Sequence, residues 1–253
     1  IGGALSSHMP KPLGNVIGGG RHAIGGTDIQ EFLVFSTANS ITDCVFGNAR
    51  THQIVGQMLK EKFPGQAIGK GDEGAWVAPM GNRDALSLLV EACDRASSEL
   101  GFKVLPALDL AASEYFRDGQ YHYKEGSYTP EAHVDFVAGV VEEYGLHIVE
   151  DPMDENDYQG YAALTQAIGD RCIIVGDDLF VTNKERLARG IEMGAANAIL
   201  IKPNQIGTLT DTQETVEMAA AHGYRTVISH RSGETTDDSI AHLGVAFGSY
   251  AIK

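Results

Sequence analysis

The strongest constraint in this sequence is an alternation: a short apolar run, a polar turn, then an amphipathic segment. The runs Val104–Asp109, His147–Glu150, Ile173–Asp177, Ala198–Lys202 and Thr226–His230 are rich in Val and Ile. They are apolar throughout, as strands covered on both faces must be. Helical patterns accompany them at Ala85–Leu100, Pro130–Tyr144, Tyr158–Ile168, Asn183–Met193, Thr210–His222 and Asp238–Phe247. Thr129-Pro130 supplies an N-cap and a first-turn proline, and Gly101, Gly145 and Gly223 stand where helices should stop. Strict alternation of strand and helix dictates parallel pairing with helical crossovers. Upstream, Gly14–Ile17, Glu31–Val34 and Ala67–Asp72 bring the expected strands to eight. The first two are joined by a glycine-rich stretch, Gly18 to Gly26, with no room for a helix, so they are expected to be antiparallel neighbours. Eight such strands suggest a closed barrel, with an open doubly wound sheet as the alternative.

The 253 residues fit one barrel-sized domain, 1–253, large enough to fold without a disulfide or metal staple. Nineteen Lys and Arg against thirty-four Asp and Glu leave a formal charge of −15. That balance argues against nucleic acid or an anionic membrane as partner, since polyanion affinity comes from cationic side chains neutralising phosphates. A small anionic substrate is still allowed, because it feels local charge. Cys44, Cys93 and Cys172 are scattered and show no CxxC spacing, which fits a reducing cytoplasm. No apolar run reaches the length of a membrane span. Ile1 is not an initiator Met and no leader-like segment comes after it, so the ends read as cut.

The residues that close the apolar runs are more telling. Successive runs end in Asp109, Glu150, Asp177, Lys202 and His230. In a parallel α/β barrel, residues at the carboxyl ends of the strands converge on one mouth, where active sites lie. Three carboxylates gathered there repel one another unless a hard divalent cation joins them, and oxygen-only ligands favour Mg2+ or Mn2+ over Zn2+. A buried lysine beside that cation is pushed toward its neutral form, which suits Lys202 to act as a general base. Any one of these residues alone is more often a solvated loop residue; the series carries the argument. Gly71-Asp72-Glu73-Gly74 ends the third expected strand with Glu73 projecting, although alone it reads as a tight turn. Ser229-His230-Arg231-Ser232-Gly233-Glu234 ends the last expected strand and opens a helix, so its guanidinium, hydroxyl and N–H groups suit a phosphate. Gly18-Gly-Gly-Arg-His22 is not a phosphate loop, and a lone His there is usually structural.

Taken together these segments resemble the enolase family nearly end to end. The resemblance is carried by Gly19-Gly-Arg-His-Ala23, Asp28-Ile-Gln-Glu-Phe32, Gly71-Asp-Glu-Gly74, Asp109-Leu-Ala-Ala-Ser-Glu114 and Glu150-Asp-Pro152. It continues through Gly176-Asp-Asp-Leu-Phe-Val-Thr-Asn183, Lys202-Pro-Asn-Gln-Ile-Gly-Thr-Leu209 and Ser229-His-Arg-Ser-Gly-Glu-Thr235. It implies a TIM-like (β/α)8 barrel of the ββαα(βα)6 type with an antiparallel second strand. The implied reaction is reversible dehydration of 2-phosphoglycerate to phosphoenolpyruvate, a lyase step of glycolysis and gluconeogenesis. By this resemblance Asp109, Glu150 and Asp177 hold Mg2+ and Lys202 removes the carbon-2 proton. Glu73 is the acid, with Glu31 tuning its proton, and it needs a raised pKa where Lys202 needs a lowered one. His22 and Gln30 contact substrate, Arg231 and Ser232 take the phosphate, His230 lines the mouth, and Lys253 meets the charge that develops. A second Mg2+ bridging the phosphate and a homo-oligomer, dimer or higher, are also implied.

The sequence departs from the family pattern in places. After Glu73 it reads Gly74-Ala75-Trp76-Val77-Ala78-Pro79, with one extra residue. Pro203 removes an N–H just past a strand, where the loss should be harmless. Family members carry an N-terminal domain with a mobile loop and continue past the lysine matched by Lys253. A molecule of these 253 residues alone is expected to keep the first metal site but to have weak activity or none, because the lid excludes water. A longer protein is expected to be fully active. An acid-sugar dehydratase or a Schiff-base aldolase using Lys202 would share the strand ends but not the Lys202–Leu209 and Ser229–Glu234 motifs. A non-catalytic barrel acting as a binding or scaffold protein is the alternative of another class.

Overall fold

The structure, a computed structural model, describes residues 1–253 apart from 3–5, 7 and 24 and the side chain of residue 22. The contacts divide it into two compact units, one of Lys11–Leu110 with Val141–His147 and one of Ile1–Pro10, Ala111–Val140 and Ile148–Lys253.

In the unit built on Lys11–Leu110 the elements run β1 (Lys11–Gly18), β2 (Glu31–Ser36), α1 (Ile41–Lys62), β3 (Gly69–Lys70), β4 (Trp76–Val77), α2 (Asn82–Leu100) and β5 (Val104–Asp109). Strand β2 is antiparallel to both neighbours: Gly18 of β1 and Asp109 of β5 each stand opposite Glu31. All six residues of β2 are buried, so the expected antiparallel second strand is present and enclosed.

The third expected strand, Ala67–Asp72, is not found as such. Its place is taken by a hairpin in which Lys70 of β3 faces Trp76 of β4, and it is Trp76 that pairs parallel with Ile17 of β1. Residues 69–70 are exposed, whereas Trp76 has a reason to be held: its indole donates to the His52 carbonyl at 2.9 Å and lies over Gly56 of α1. A Cβ at Gly56 would come within 2.7 Å of the Trp76 ring atom Cε2. Helix α1 itself has no counterpart among the expected helices. The first half of its buried face is Cys44, Gly47, Asn48 and Thr51, small or polar residues that leave almost no hydropathy signal. Asn48 packs by hydrogen bonding instead, accepting from Ser36 Oγ at 2.8 Å and donating to the Pro12 carbonyl at 2.9 Å.

The other unit contains a three-stranded antiparallel sheet of β6 (Phe116–Arg117), β7 (Gln120–Tyr123) and β8 (Gly126–Tyr128), which the apolar-run pattern did not predict. Asp118 and Gly119 turn β6 into β7 with φ of 52° and 74°, the left-handed pair that suits a two-residue hairpin. Helix α3 (Pro130–Tyr144) is next. Then come β9 (Ile148–Glu150), α4 (Tyr158–Ile168), β10 (Ile173–Gly176), α5 (Lys184–Met193), β11 (Ala198–Ile201), α6 (Pro203–Ile206), α7 (Leu209–Ala221), β12 (Arg225–Ile228), α8 (Ser239–Ala246) and β13 (Ala251–Ile252). Strands β9 to β13 lie side by side in chain order, every pair parallel. The last of them is β13; the run ending at His230, expected to be last, is β12. A strand of two residues is too short for a periodicity argument to detect. Every residue of β9, β10 and β11 is buried, in keeping with continuous apolar runs. Gly101 and Gly194 cap α2 and α5 in the left-handed conformation.

Candidate functional site

The carboxyl ends of β9 to β13 bring acids and lysines together in pairs. Glu150 closes β9 at 1% exposure, and both its oxygens accept from Lys253 Nζ at 2.8 Å. Asp177 comes after β10 and Lys202 after β11, and Lys202 Nζ donates to Asp177 Oδ2 at 2.5 Å. The lysine is positioned from its backbone: its N–H donates to Thr182 Oγ1 at 2.8 Å, and that hydroxyl donates to Gln205 Oε1 at 3.1 Å. Lys202 and Gln205 of the Lys202-Pro-Asn-Gln motif are thereby joined through Thr182, with Pro203 harmless as the first residue of α6. Burial pushes Lys202 toward its neutral form, but attraction to Asp177 and Glu150 outweighs it and holds the ammonium above its ordinary range. The lowered value expected of Lys202 is therefore not the property of this ion-paired state.

Two acids that sequence reasoning left without a role complete the cluster. Asp151 and Asp178 each offer a carboxylate oxygen within 4.8 Å of one another and of Asp177, a set able to hold a metal ion. Both lie inside motifs already noted, Glu150-Asp-Pro152 and Gly176-Asp-Asp, so their positions were legible and only their roles were missed. Their situations differ. Asp151 Oδ1 accepts from the Tyr161 hydroxyl at 2.8 Å and the Asp177 N–H at 2.9 Å, and its Oδ2 accepts from the Asp178 N–H at 2.8 Å. Asp177 Oδ1, by contrast, is buried and accepts no hydrogen bond from the described residues. A buried carboxylate oxygen left without a donor is costly in a protein interior, and a hard cation would satisfy it. The donor set therefore fits Mg2+.

At the end of β12 the backbone is tied to β13: Lys253 N–H donates to the Ile228 carbonyl at 2.9 Å and His230 N–H to the Lys253 carbonyl at 3.3 Å. The helix expected to open at this motif does not begin there. Arg231 and Ser232 are exposed in a turn closed by Glu234 N–H on the Arg231 carbonyl, and α8 begins only at Ser239. The polar stretch Thr235–Asp238, coming after a Gly233 with φ of 72°, delays the helix.

In the other unit, Glu31 and Asp109 face each other across β2 and β5 at 3% and 4% exposure. Gln30 Nε2 donates to Asp109 Oδ2 at 3.3 Å. The loop before Gln30 is closed by Gly19 and Gly20 N–H groups on the carbonyls of Gln30 and Thr27, and Asn82 Oδ1 accepts from the N–H groups of Asp28 and Ile29. Gly19 is required there, since a Cβ would collide with the Thr27 hydroxyl and lie 2.4 Å from the Ile29 carbonyl oxygen. Glu73 sits in the β3–β4 turn and accepts from Asn15 Nδ2 at 3.2 Å. The side chain of His22 lies outside the described residues.

Acid and lysine pairs at the carboxyl ends of parallel strands define an α/β protein with its chemistry at one end of the strands. The chain belongs to the enolase family: residues 6–253 match the family described as Enolase, C-terminal TIM barrel domain, and its fold is that barrel with an antiparallel second strand. Among similar proteins, the enolase of Methanothermobacter thermautotrophicus is 52% identical over all of this chain and 62% of that protein. The enolase of Halorubrum lacusprofundi is 52% identical over 64% of its length, and that of Picrophilus torridus 45% over 63%. The chain thus spans under two thirds of the relatives it matches. No helix among the described residues is long and apolar enough to cross a membrane.

Proposed function

We propose that this barrel carries the Mg2+-dependent, reversible dehydration of 2-phosphoglycerate to phosphoenolpyruvate. The observation that supports it best is the pair of half-buried lysines, Lys202 on Asp177 and Lys253 on Glu150, facing buried carboxylates at consecutive strand ends. Asp109, Glu150 and Asp177 are the proposed metal ligands, with a second Mg2+ at the phosphate. When bound, the metal supplies positive charge that neutralises the substrate carboxylate and makes its carbon-2 hydrogen acidic. Lys202, once its ammonium has given a proton to solvent, is the neutral amine that takes the carbon-2 proton, and the C–H electron pair moves into the adjoining carboxylate. The Lys253 ammonium meets the negative charge that develops. Glu73, tuned by Glu31, gives a proton to the carbon-3 hydroxyl, which leaves as water as the double bond forms. His22, Gln30 and His230 contact the substrate, and Arg231 and Ser232 take its phosphate. The setting proposed is cytoplasmic and the assembly a homo-oligomer.

The test is an ultraviolet absorbance assay for phosphoenolpyruvate, with Mg2+ and with a chelator. Mg2+-dependent product that disappears in Lys202→Ala supports the reading. No product from an intact, folded sample leaves the non-catalytic binding role as the better account of this chain.

A further inference from the structure

We propose that Asp151, held by Tyr161, is a positioning residue that sets the metal affinity of the β10 end without being a ligand itself. The inference rests on the metal reading above. Asp151 comes directly after Glu150 and takes the left-handed conformation, φ 41°, which is uncommon for a residue with a side chain. That geometry turns its carboxylate toward the β10 exit. There it accepts the consecutive N–H groups of Asp177 and Asp178 at 2.9 and 2.8 Å. Its own N–H donates to the Val175 carbonyl at 3.0 Å, so strand and turn are fastened to each other at both ends of one residue.

The carboxylate belongs to a residue only 3% exposed, and the third donor is the hydroxyl of Tyr161, fully buried on α4, at 2.8 Å. Burial and the neighbouring Asp151 charge push the Tyr161 phenol well above its ordinary range, so it stays a donor at every working pH. With three donors on two oxygens, Asp151 has its near-side lone pairs engaged, whereas Asp177 Oδ1 has no donor among the described residues. The labour is divided: Asp151 aims the turn, and Asp177 presents the open oxygen. Outer residues that orient ligands in this way commonly change metal affinity by about 10- to 100-fold.

The test uses the whole 253-residue chain and Mn2+ as the probe, with free Mn2+ monitored by electron paramagnetic resonance. Asp151→Asn keeps the shape and tolerates the backbone angle, but it cannot accept on both sides; its Mn2+ Kd should rise about tenfold or more. Tyr161→Phe is the milder variant and should raise Kd about threefold. Tyr158→Phe is the control: it removes another hydroxyl of α4, one that reaches the Leu179 and Arg186 carbonyls instead, and Kd should not move. Hydrogen exchange of the peptide containing Asp177 and Asp178, measured without metal, should quicken in Asp151→Asn. Faster exchange with an unchanged Kd marks a purely structural contact and overturns the proposal, as does an unchanged Kd in both Asp151→Asn and Tyr161→Phe. Wild-type chain that binds no Mn2+ overturns the metal reading itself, and the proposal with it.

Discussion

At the scale of single residues, burial makes a charge depend on its partner. Lys253 and Glu150 show it: removing the lysine strips a bidentate partner from a carboxylate 1% exposed. Lys253→Met should therefore cost about 3–5 kcal/mol in urea unfolding, far more than an exposed pair such as Lys62–Asp84, expected below about 1 kcal/mol. His133 obeys the same rule by staying neutral. Its ring stacks on Tyr121 with centroids 3.8 Å apart, its Nε2 meets the Tyr123 hydroxyl at 2.9 Å, and burial pushes its pKa down to about 3. Because the folded value lies below the unfolded one, near 6.5, the unfolded chain binds the extra proton. The contribution is whole above pH 6.5 and drains as pH falls toward 3, with a slope of up to about 1.4 kcal/mol per pH unit. His133→Phe loses the Tyr123 contact, so it should be the less stable protein at pH 7.5. The gap should close or reverse by pH 4.5; a constant gap across that range would show that His133 does not titrate on unfolding.

Elements were legible where hydrophobicity made them and silent where something else did. Strands β9 to β12 and helices α3, α4, α5 and α7 could be read because their buried faces are apolar and their ends are punctuated by Pro, Asn or Gly. Helix α1 escaped because it packs through Gly47, Asn48 and Thr51, and the aromatic hairpin because strands of two to four residues carry too few alternations. The strand-end acids and lysines were visible for the same reason as the strands, whereas the role of Asp151 depends on a left-handed turn that no spacing rule announces. The hairpin has a function that only the structure shows. Tyr121, fully buried on β7, accepts the Asp154 N–H at 2.8 Å, and Ser113 Oγ accepts the Glu155 N–H at 2.8 Å, so the loop after Glu150 and Asp151 is clamped from outside. Tyr121→Phe keeps the ring stack and deletes only the acceptor. It should cost about 1–2 kcal/mol and quicken hydrogen exchange in residues 152–157, leaving β10 protected. Unaltered exchange there would dissolve the clamp.

For the whole molecule the deciding quantity is charge. A formal −15 over 253 residues makes the folded state self-repelling, so any salt should stabilise it somewhat by screening. A specific cation does more, because it binds the folded state and not the unfolded one. At a Mg2+ concentration about a hundredfold above its Kd the gain is about 2.7 kcal/mol. At about 2–4 °C per kcal/mol for chains of this size, Tm should rise by roughly 5–10 °C. Screening and site binding separate in one comparison. NaCl at equal ionic strength should reproduce only the screening part. Asp177→Asn, which removes the carboxylate whose Oδ1 is buried without a donor among the described residues, should keep that part and lose the rest. The lysines set the affinity in the same experiment. The Lys202 ammonium on Asp177 Oδ2 repels a cation at Oδ1, so the Mg2+ increment should grow in Lys202→Met, where that charge is gone. An Asp177→Asn chain that gains as much as wild type from Mg2+ would place the cation elsewhere and remove the β10 end from the metal site.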